Sequence, residues 1–211
     1  MQRRKMRVLP LVIILTLTVL VAVLFILGVY DVFFGKKSYP VKYKGEIALA
    51  SETYGVDEYK IYSTVFCESS FDKNSVSGMN AKGLMQLLPE TYEWLSGEEA
   101  TDENIFDPEK NILYGTKYLS ILYTHYVKLL EEDAFYKNCN VWDIVHAAYH
   151  AGNGRVDKWL RDGSIIIDSK GNISELPIKT TKVYVDRINK AKKAYIKILD
   201  KEETNDGSQN T

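Results

Sequence analysis

The run from Val8 to Val29 decides the organisation of this 211-residue chain, because it is almost unbroken in apolar character and carries no charge. At about 20 residues, a helix over it matches the thickness of a bilayer's hydrocarbon core. A secretory signal shares the pattern of basic start and apolar run, and is the competing reading. Signal cores are usually shorter, and no small-x-small cleavage site follows; the chain after Gly28 reads VYDVFFGKK. The expectation is an uncleaved transmembrane helix over residues 8–29, preceded by a basic cytoplasmic segment, residues 1–7. Arg3, Arg4, Lys5 and Arg7 hold that end inside, which makes this a single-pass cell-membrane protein with its bulk extracytoplasmic.

Those four bases also disguise the charge of the exported part. The whole chain has 27 Lys and Arg against 28 Asp and Glu, a net charge of −1; without the four, 23 bases face 28 acids, a balance of −5. No basic stripe of the kind that nucleic acid requires is visible. With 45% hydrophobic and 26% charged residues, the composition suits one globular domain with its own core. Cys67 and Cys139 match no metal spacing and read as small core residues, with a disulfide the alternative in an extracytoplasmic setting. His125 and His146 likewise read as structural, and nothing calls for a metal or a cofactor.

A short polar linker, residues 30–43, leads to a series of helix signals. Gly45 to Tyr54 reads as a helix stopped by Gly55, and Asp57 can cap the next one. Asp72 to Lys82 is a loop rich in Asn, Ser, Gly and Lys. Gly83 to Leu95 reads as resumed helix, with Pro89 in an early position and Gly97 closing it. After a loop at Asn104 to Asp107, Asp107-Pro108-Glu109 opens the longest helix, to about Leu130. Ile112, Gly115, Leu119, Leu122 and Tyr126 line its buried stripe. Asn140 caps a further helix that Gly152 and Gly154 end, and Val156 to Leu160 is a short one. Ser164 to Ser174 is a small hairpin or an ordered loop, and Pro177 precedes a last helix that runs to about Lys201. The expectation is a mainly α domain over residues 44–200, with a disordered tail over 201–211.

Within the second helix, Glu68 falls on the same face as Ile61 and Val65. Burial disfavours a charged carboxylate and raises its pKa, which suits a general acid near neutrality. The competing reading is a helix-end glutamate that reaches solvent or pairs with a lysine. Glycosidases commonly use two carboxylates. Asp72, Glu90 and Glu93 are the nearby acids, but Asp72 suits a turn, Glu90 suits a helix N-terminus, and none stands out.

Five blocks carry a resemblance: Glu68-Ser69, Val76-Ser77, Gly83-Leu84-Met85-Gln86, Ala148-Tyr149-His150-Ala151-Gly152 and Tyr184-Val185. In this order and spacing they resemble the soluble-lytic-transglycosylase (SLT) domain family, relatives of goose-type lysozyme that cleave peptidoglycan. The resemblance runs from about Lys44 to Lys197. It implies a lysozyme-like helical fold, glycan strands as substrate, and Glu68 acting alone as acid and then base. The second carboxylate is replaced by the muramoyl C6 hydroxyl, which closes a 1,6-anhydro ring. It further implies that Ser77 bonds the carboxylate or a nearby sugar and that Gly83 forms a groove wall. Met85 and Gln86 would line the cleft, Tyr149 would orient Glu68, and Tyr184 would reach the cleft.

Two positions depart from the family pattern. His150 stands where asparagine is usual and would titrate near neutrality. Thr180-Thr181 stands for a Glu-Thr pair and removes an acid from the cleft rim. Two alternatives stay open at this point: a hydrolytic muramidase of the same fold, and a catalytically silent wall-binding module of an envelope complex.

Overall fold

The computed structural model describes residues 39–209, with side chains as far as Lys201, and the separate positions Val19, Val21 and Val23. Apart from those three valines, the basic segment and the transmembrane helix expected over 8–29 lie outside the described residues. Among the described residues no helix is long and apolar enough to cross a membrane.

From Tyr39 onward the chain forms one unit built on helices. Helix α1, Lys44–Tyr54, stops at Gly55, whose N–H bonds back to Ser51. Helix α2, Glu58–Ser69, starts after Asp57, but the Asp57 side chain does not cap it. That carboxylate instead accepts from Tyr59 Oη at 2.8 Å and from Lys60 Nζ. The buried Lys60 ammonium attracts it more strongly than a neutral amide does.

Helix α3, Pro89–Ser96, begins six residues later than the expected start at Gly83. Residues 83–87 form a tight turn, in which Lys82 and Leu87 exchange backbone hydrogen bonds of 2.8 and 3.0 Å. Gly83 at φ 80° and Gln86 at φ 50° are left-handed there, which no continuing α-helix tolerates. Helix α4, Asp102–Ile105, occupies part of the expected loop, its first turn closed by Thr101. Helix α5, Pro108–Glu131, and helix α6, Val141–Ala151, start as expected: Asp107 accepts from Lys110 N and Asn140 from Trp142 N. Helix α7 spans Asn153–Arg161. Strands β1, Ile166–Ile167, and β2, Ile173–Glu175, pair antiparallel, so the hairpin forms.

Helix α8, Lys179–Gln209, carries on through most of the tail expected from residue 201. Once a helix is nucleated, each further residue adds a hydrogen bond at little cost. α8 packs along α2 and α6, α5 packs along α1 and α6, and α7 rests on α6. Ile61 and Val65 of α2, Leu119 of α5, Ile144 of α6 and Ile188 of α8 are completely buried where these helices meet. Each such side chain contributes about 1.5–3 kcal/mol of hydrophobic stabilisation.

Two buried polar anchors fix the frame. Asp143 of α6 accepts from Asn140 Nδ2, Ile173 N and Asn189 Nδ2, which ties the hairpin to α6 and α8. Asn111 of α5 is completely buried; its Oδ1 accepts from Met85 N at 2.7 Å, and its Nδ2 donates to the carbonyls of Lys82 and Ile105. Cys67 and Cys139 are not joined in a disulfide, so that alternative is not realised.

Candidate active site

Glu68 sits in the final turn of α2, where a helix with Ile61 and Val65 on its buried face reaches the surface. Its neighbour Ser69 donates to the Leu84 carbonyl at 2.8 Å, which joins this helix end to the 83–87 turn. From α8, Tyr184 Oη donates to Glu68 Oε1 at 2.5 Å. One helical turn further, Arg187 Nη2 donates to the Cys67 carbonyl at 3.3 Å, which brings its charge near the same carboxyl.

Burial pushes the Glu68 pKa up to about 7, while the Tyr184 hydrogen bond and the Arg187 charge pull it down. Desolvation is the largest of the three and wins. The carboxyl is therefore available as an acid at neutral pH and can take a proton back in the same range. Glu68 is half-buried at the edge of a cavity, and its carboxyl bonds to Tyr184 and not to a lysine.

A cavity of about 320 Å3 opens at Glu68 and is lined also by Ser77, Gly78, Met79, Ala81, Gln86, Leu88, Tyr149 and His150. Among the described residues that line it, Glu68 is the one carboxylate. A second cavity, of about 430 Å3, is lined by His150, Lys179, Thr180, Val183, Tyr184 and Arg187. His150 lines both.

Ser77, Gln86, Tyr149 and His150 line the same cavity as Glu68, and several of their contacts differ from those expected. Tyr184, not Tyr149, bonds the carboxylate. Tyr149 Oη donates to the Met85 carbonyl at 2.8 Å and so braces the 83–87 turn from α6. Met85 is completely buried, its thioether packed against Thr116 and the surface of Gly115, so it is core and does not line the cleft. The close approach at Gly83 is also internal. A Cβ there would come within 2.3 Å of Asn111 Nδ2, so the glycine admits the asparagine clamp and does not form the groove wall.

Ser77 Oγ accepts from Met79 N and Ala81 N, which is the turn-forming role, while the residue still faces the cavity. Gln86 Nε2 donates to the carbonyls of Ser75 and Gly83, both at 3.0 Å, and holds the cavity wall together. His150 Nδ1 lies 3.2 Å from Thr181 Oγ1, and the ring stands 4.7 Å from that of Tyr184. Its expected titration near neutrality is corrected downward, since burial and the Arg187 charge disfavour the imidazolium.

Three contributors escaped the sequence reading. Asn111 stands on the buried stripe of α5, where a polar side chain was the available signal. Ser69 was visible only as the neighbour of Glu68. Arg187 lies three residues beyond Tyr184 and so shares its helix face, a signal that spacing alone could have raised. No group of three or more His, Cys, Asp or Glu side chains that could hold a metal ion occurs among the described residues.

This arrangement is that of a lysozyme-like helical domain, and solved structures share it. An inactive mutant of the lytic transglycosylase Slt from Pseudomonas aeruginosa superposes with a TM-score of 0.62 at 24% identity, over 77% of this chain and 25% of that one. The 70 kDa soluble lytic transglycosylase from Escherichia coli gives 0.61 at 24% identity, over 76% and 25%. The family model for the Transglycosylase SLT domain matches residues 46–165, more than half of the chain, and the chain belongs to that family. Tyr184 and Arg187 lie beyond the matched span.

Membrane-bound lytic murein transglycosylase C of Edwardsiella ictaluri is 33% identical over 174 residues, 74% of this chain and 47% of that protein. The Serratia proteamaculans protein of the same name is 30% identical over 175 residues, 73% of this chain and 46% of that protein. The chain thus spans about half the length of these curated relatives.

Proposed function

We propose that this chain is a membrane-anchored lytic transglycosylase. It cleaves the β-1,4 bond between N-acetylmuramic acid and N-acetylglucosamine in peptidoglycan and leaves 1,6-anhydromuramic ends. Residues 8–29 anchor it, and residues 44–200 act on the glycan strand outside the membrane. The observation that carries the reading is Glu68: a carboxyl raised to about 7, oriented by Tyr184, and the one carboxylate among the described residues lining its cavity.

Protonated Glu68 donates to the leaving glycosidic oxygen as the C1–O bond breaks. The C6 hydroxyl of the same muramoyl residue then attacks C1 and returns its proton to Glu68. No water is consumed, and the acid is regenerated for the next turnover. A pKa near the working pH serves both transfers, because the group must be a competent donor first and acceptor second. Tyr184 holds the carboxyl in one rotamer. Ser77, Gln86 and His150 face the sugar, while Gly83, Met85 and Tyr149 shape the turn that carries Gln86.

Digestion of purified cell wall followed by mass spectrometry tests the reaction. Anhydro-muropeptides are expected; products with reducing ends instead would make the enzyme a hydrolase. Glu68→Gln should lower the rate by about 10²–10⁴-fold, the usual span for loss of a general acid–base. Equal wall clearance by parent and variant would leave only a binding module.

A further inference from the structure

The second cavity is chemically unlike the one at Glu68. Of its six lining residues, Lys179 and Arg187 carry positive charge and none carries a carboxylate. Neither cation enters an ion pair among the described residues, whereas Lys182, in the same stretch of α8, is neutralised by Asp186 at 2.6 Å. Residues 179, 180, 183, 184 and 187 form one face of α8, so both charges and the Thr180 hydroxyl border the same space. The opposite wall is His150, which also lines the Glu68 cavity. Two cations collected in a concave site, within a part of the chain that is net acidic, mark a place for an anion. A guanidinium fork beside an ammonium suits a carboxylate well.

We propose that this cavity is an anion subsite for a carboxylate carried on the muramoyl lactyl substituent, with Lys179 and Arg187 as its partners. The proposal rests on the lytic-transglycosylase reading for the identity of the strand. The sugar in the Glu68 cavity would carry its substituent past His150 into the second cavity. Two sources offer the same chemistry: a carboxylate of the stem peptide, or the lactyl carboxylate itself where the peptide has been removed. Thr180 supports the assignment. An acid at that position, as the family pattern has it, would repel the anion, and the threonine leaves the rim without one.

The test uses the full chain in detergent carrying Glu68→Gln, which binds strands without cleaving them. Its Kd is measured for three soluble glycan strands. One bears peptide, one is stripped to free lactyl groups, and one bears peptide with its carboxylates converted to carboxamides. Carboxamide conversion should weaken binding on the order of tenfold at low salt, the effect of losing one charged hydrogen-bonded pair. Lys179→Gln combined with Arg187→Gln should bring that ratio to about one. Tight binding of stripped strands assigns the lactyl group, and preference for peptide-bearing strands over them assigns the stem.

Because Arg187 also holds the end of α2, Thr180→Glu supplies an independent variant. It should weaken carboxylate-bearing strands selectively, by like-charge repulsion. Equal affinity for all three strands, or affinity differences that these variants leave unchanged, overturns the subsite. Charge-dependent binding with no cleavage by the parent chain would instead sink the catalytic reading alone.

Discussion

Three influences meet on the carboxyl of Glu68, and two of them oppose the third. Burial favours the neutral acid, while Tyr184 and Arg187 favour the carboxylate. Tyr184→Phe removes a donor to the charged form, so the midpoint should move above its present value of about 7. NMR titration of the Glu68 carboxyl checks the direction; a midpoint that stays or falls would contradict it. The alkaline limb of the pH–rate profile should shift the same way. The rate at the optimum should drop about ten- to a hundredfold, because the rotamer is no longer held. The same hydrogen bond separates two tyrosines that the sequence leaves alike. Tyr149 and Tyr184 are both tyrosines on helices that border the cleft, and only their three-dimensional positions decide which one reaches the acid.

At the scale of elements, the site depends on a turn that helix α5 holds from behind. Gly115 lets Met85 lie flat on α5. A Cβ there would come within 2.4 Å of Met85 Sδ and 2.8 Å of its Cβ. Gly115→Ala should therefore destabilise the domain by about 1–3 kcal/mol through overpacking, even though alanine is the better helix former by about 1 kcal/mol. Urea unfolding measures the net effect, and a gain in stability would refute the packing argument. Activity should fall as well, since Met85 and Gln86 are adjacent in the displaced turn. Much of this scale was legible beforehand. The starts of α5 and α6 carry Asp107-Pro108 and Asn140, whose side chains do cap those helices. The 83–87 turn was not, because its apolar residues suit a helix and the asparagine that draws Met85 out of one lies 26 residues away.

For the whole molecule, two desolvated groups shape stability in opposite directions across the acid range. Burial raises the folded pKa of Glu68 to about 7 from the 4.5 of an ordinary glutamate. The folded state thus binds the extra proton between those values, and stability falls as pH rises through them. Glu68→Gln lacks this loss and should be more stable than the parent at about pH 8, by roughly 2–3 kcal/mol, with the gap gone near pH 4. His146 acts in the other direction. Burial lowers its pKa from 6.5 to about 3, with Lys60 and Lys192 adding to the effect; its Nδ1 lies 2.7 Å from the Trp142 carbonyl, and its Nε2 is buried without a partner. The unfolded chain binds a proton there that the folded one refuses, so stability is lost as pH falls from about 6.5 towards 3. Chemical denaturation across that window should show a shallower slope for His146→Asn than for the parent, and identical slopes would rule the histidine out.

By itself the sequence determined what local chemistry controls. It marked the charge-free run from Val8 to Val29, the helix starts at Asp107 and Asn140, and Glu68 on a face with Ile61 and Val65, while it left the segment around Gly171 open between hairpin and loop. These signals act within a turn or two of chain and need no fold around them. Tertiary structure decided whatever depends on groups remote in sequence. Tyr184 meets Glu68 across 116 residues, and Tyr149 meets Met85 across 64. Gly83 and Met85 turned inward because Asn111 and Gly115 stand behind them. The pKa of Glu68 was likewise a tertiary outcome, because desolvation depends on everything packed around a carboxyl and not on its neighbours along the chain.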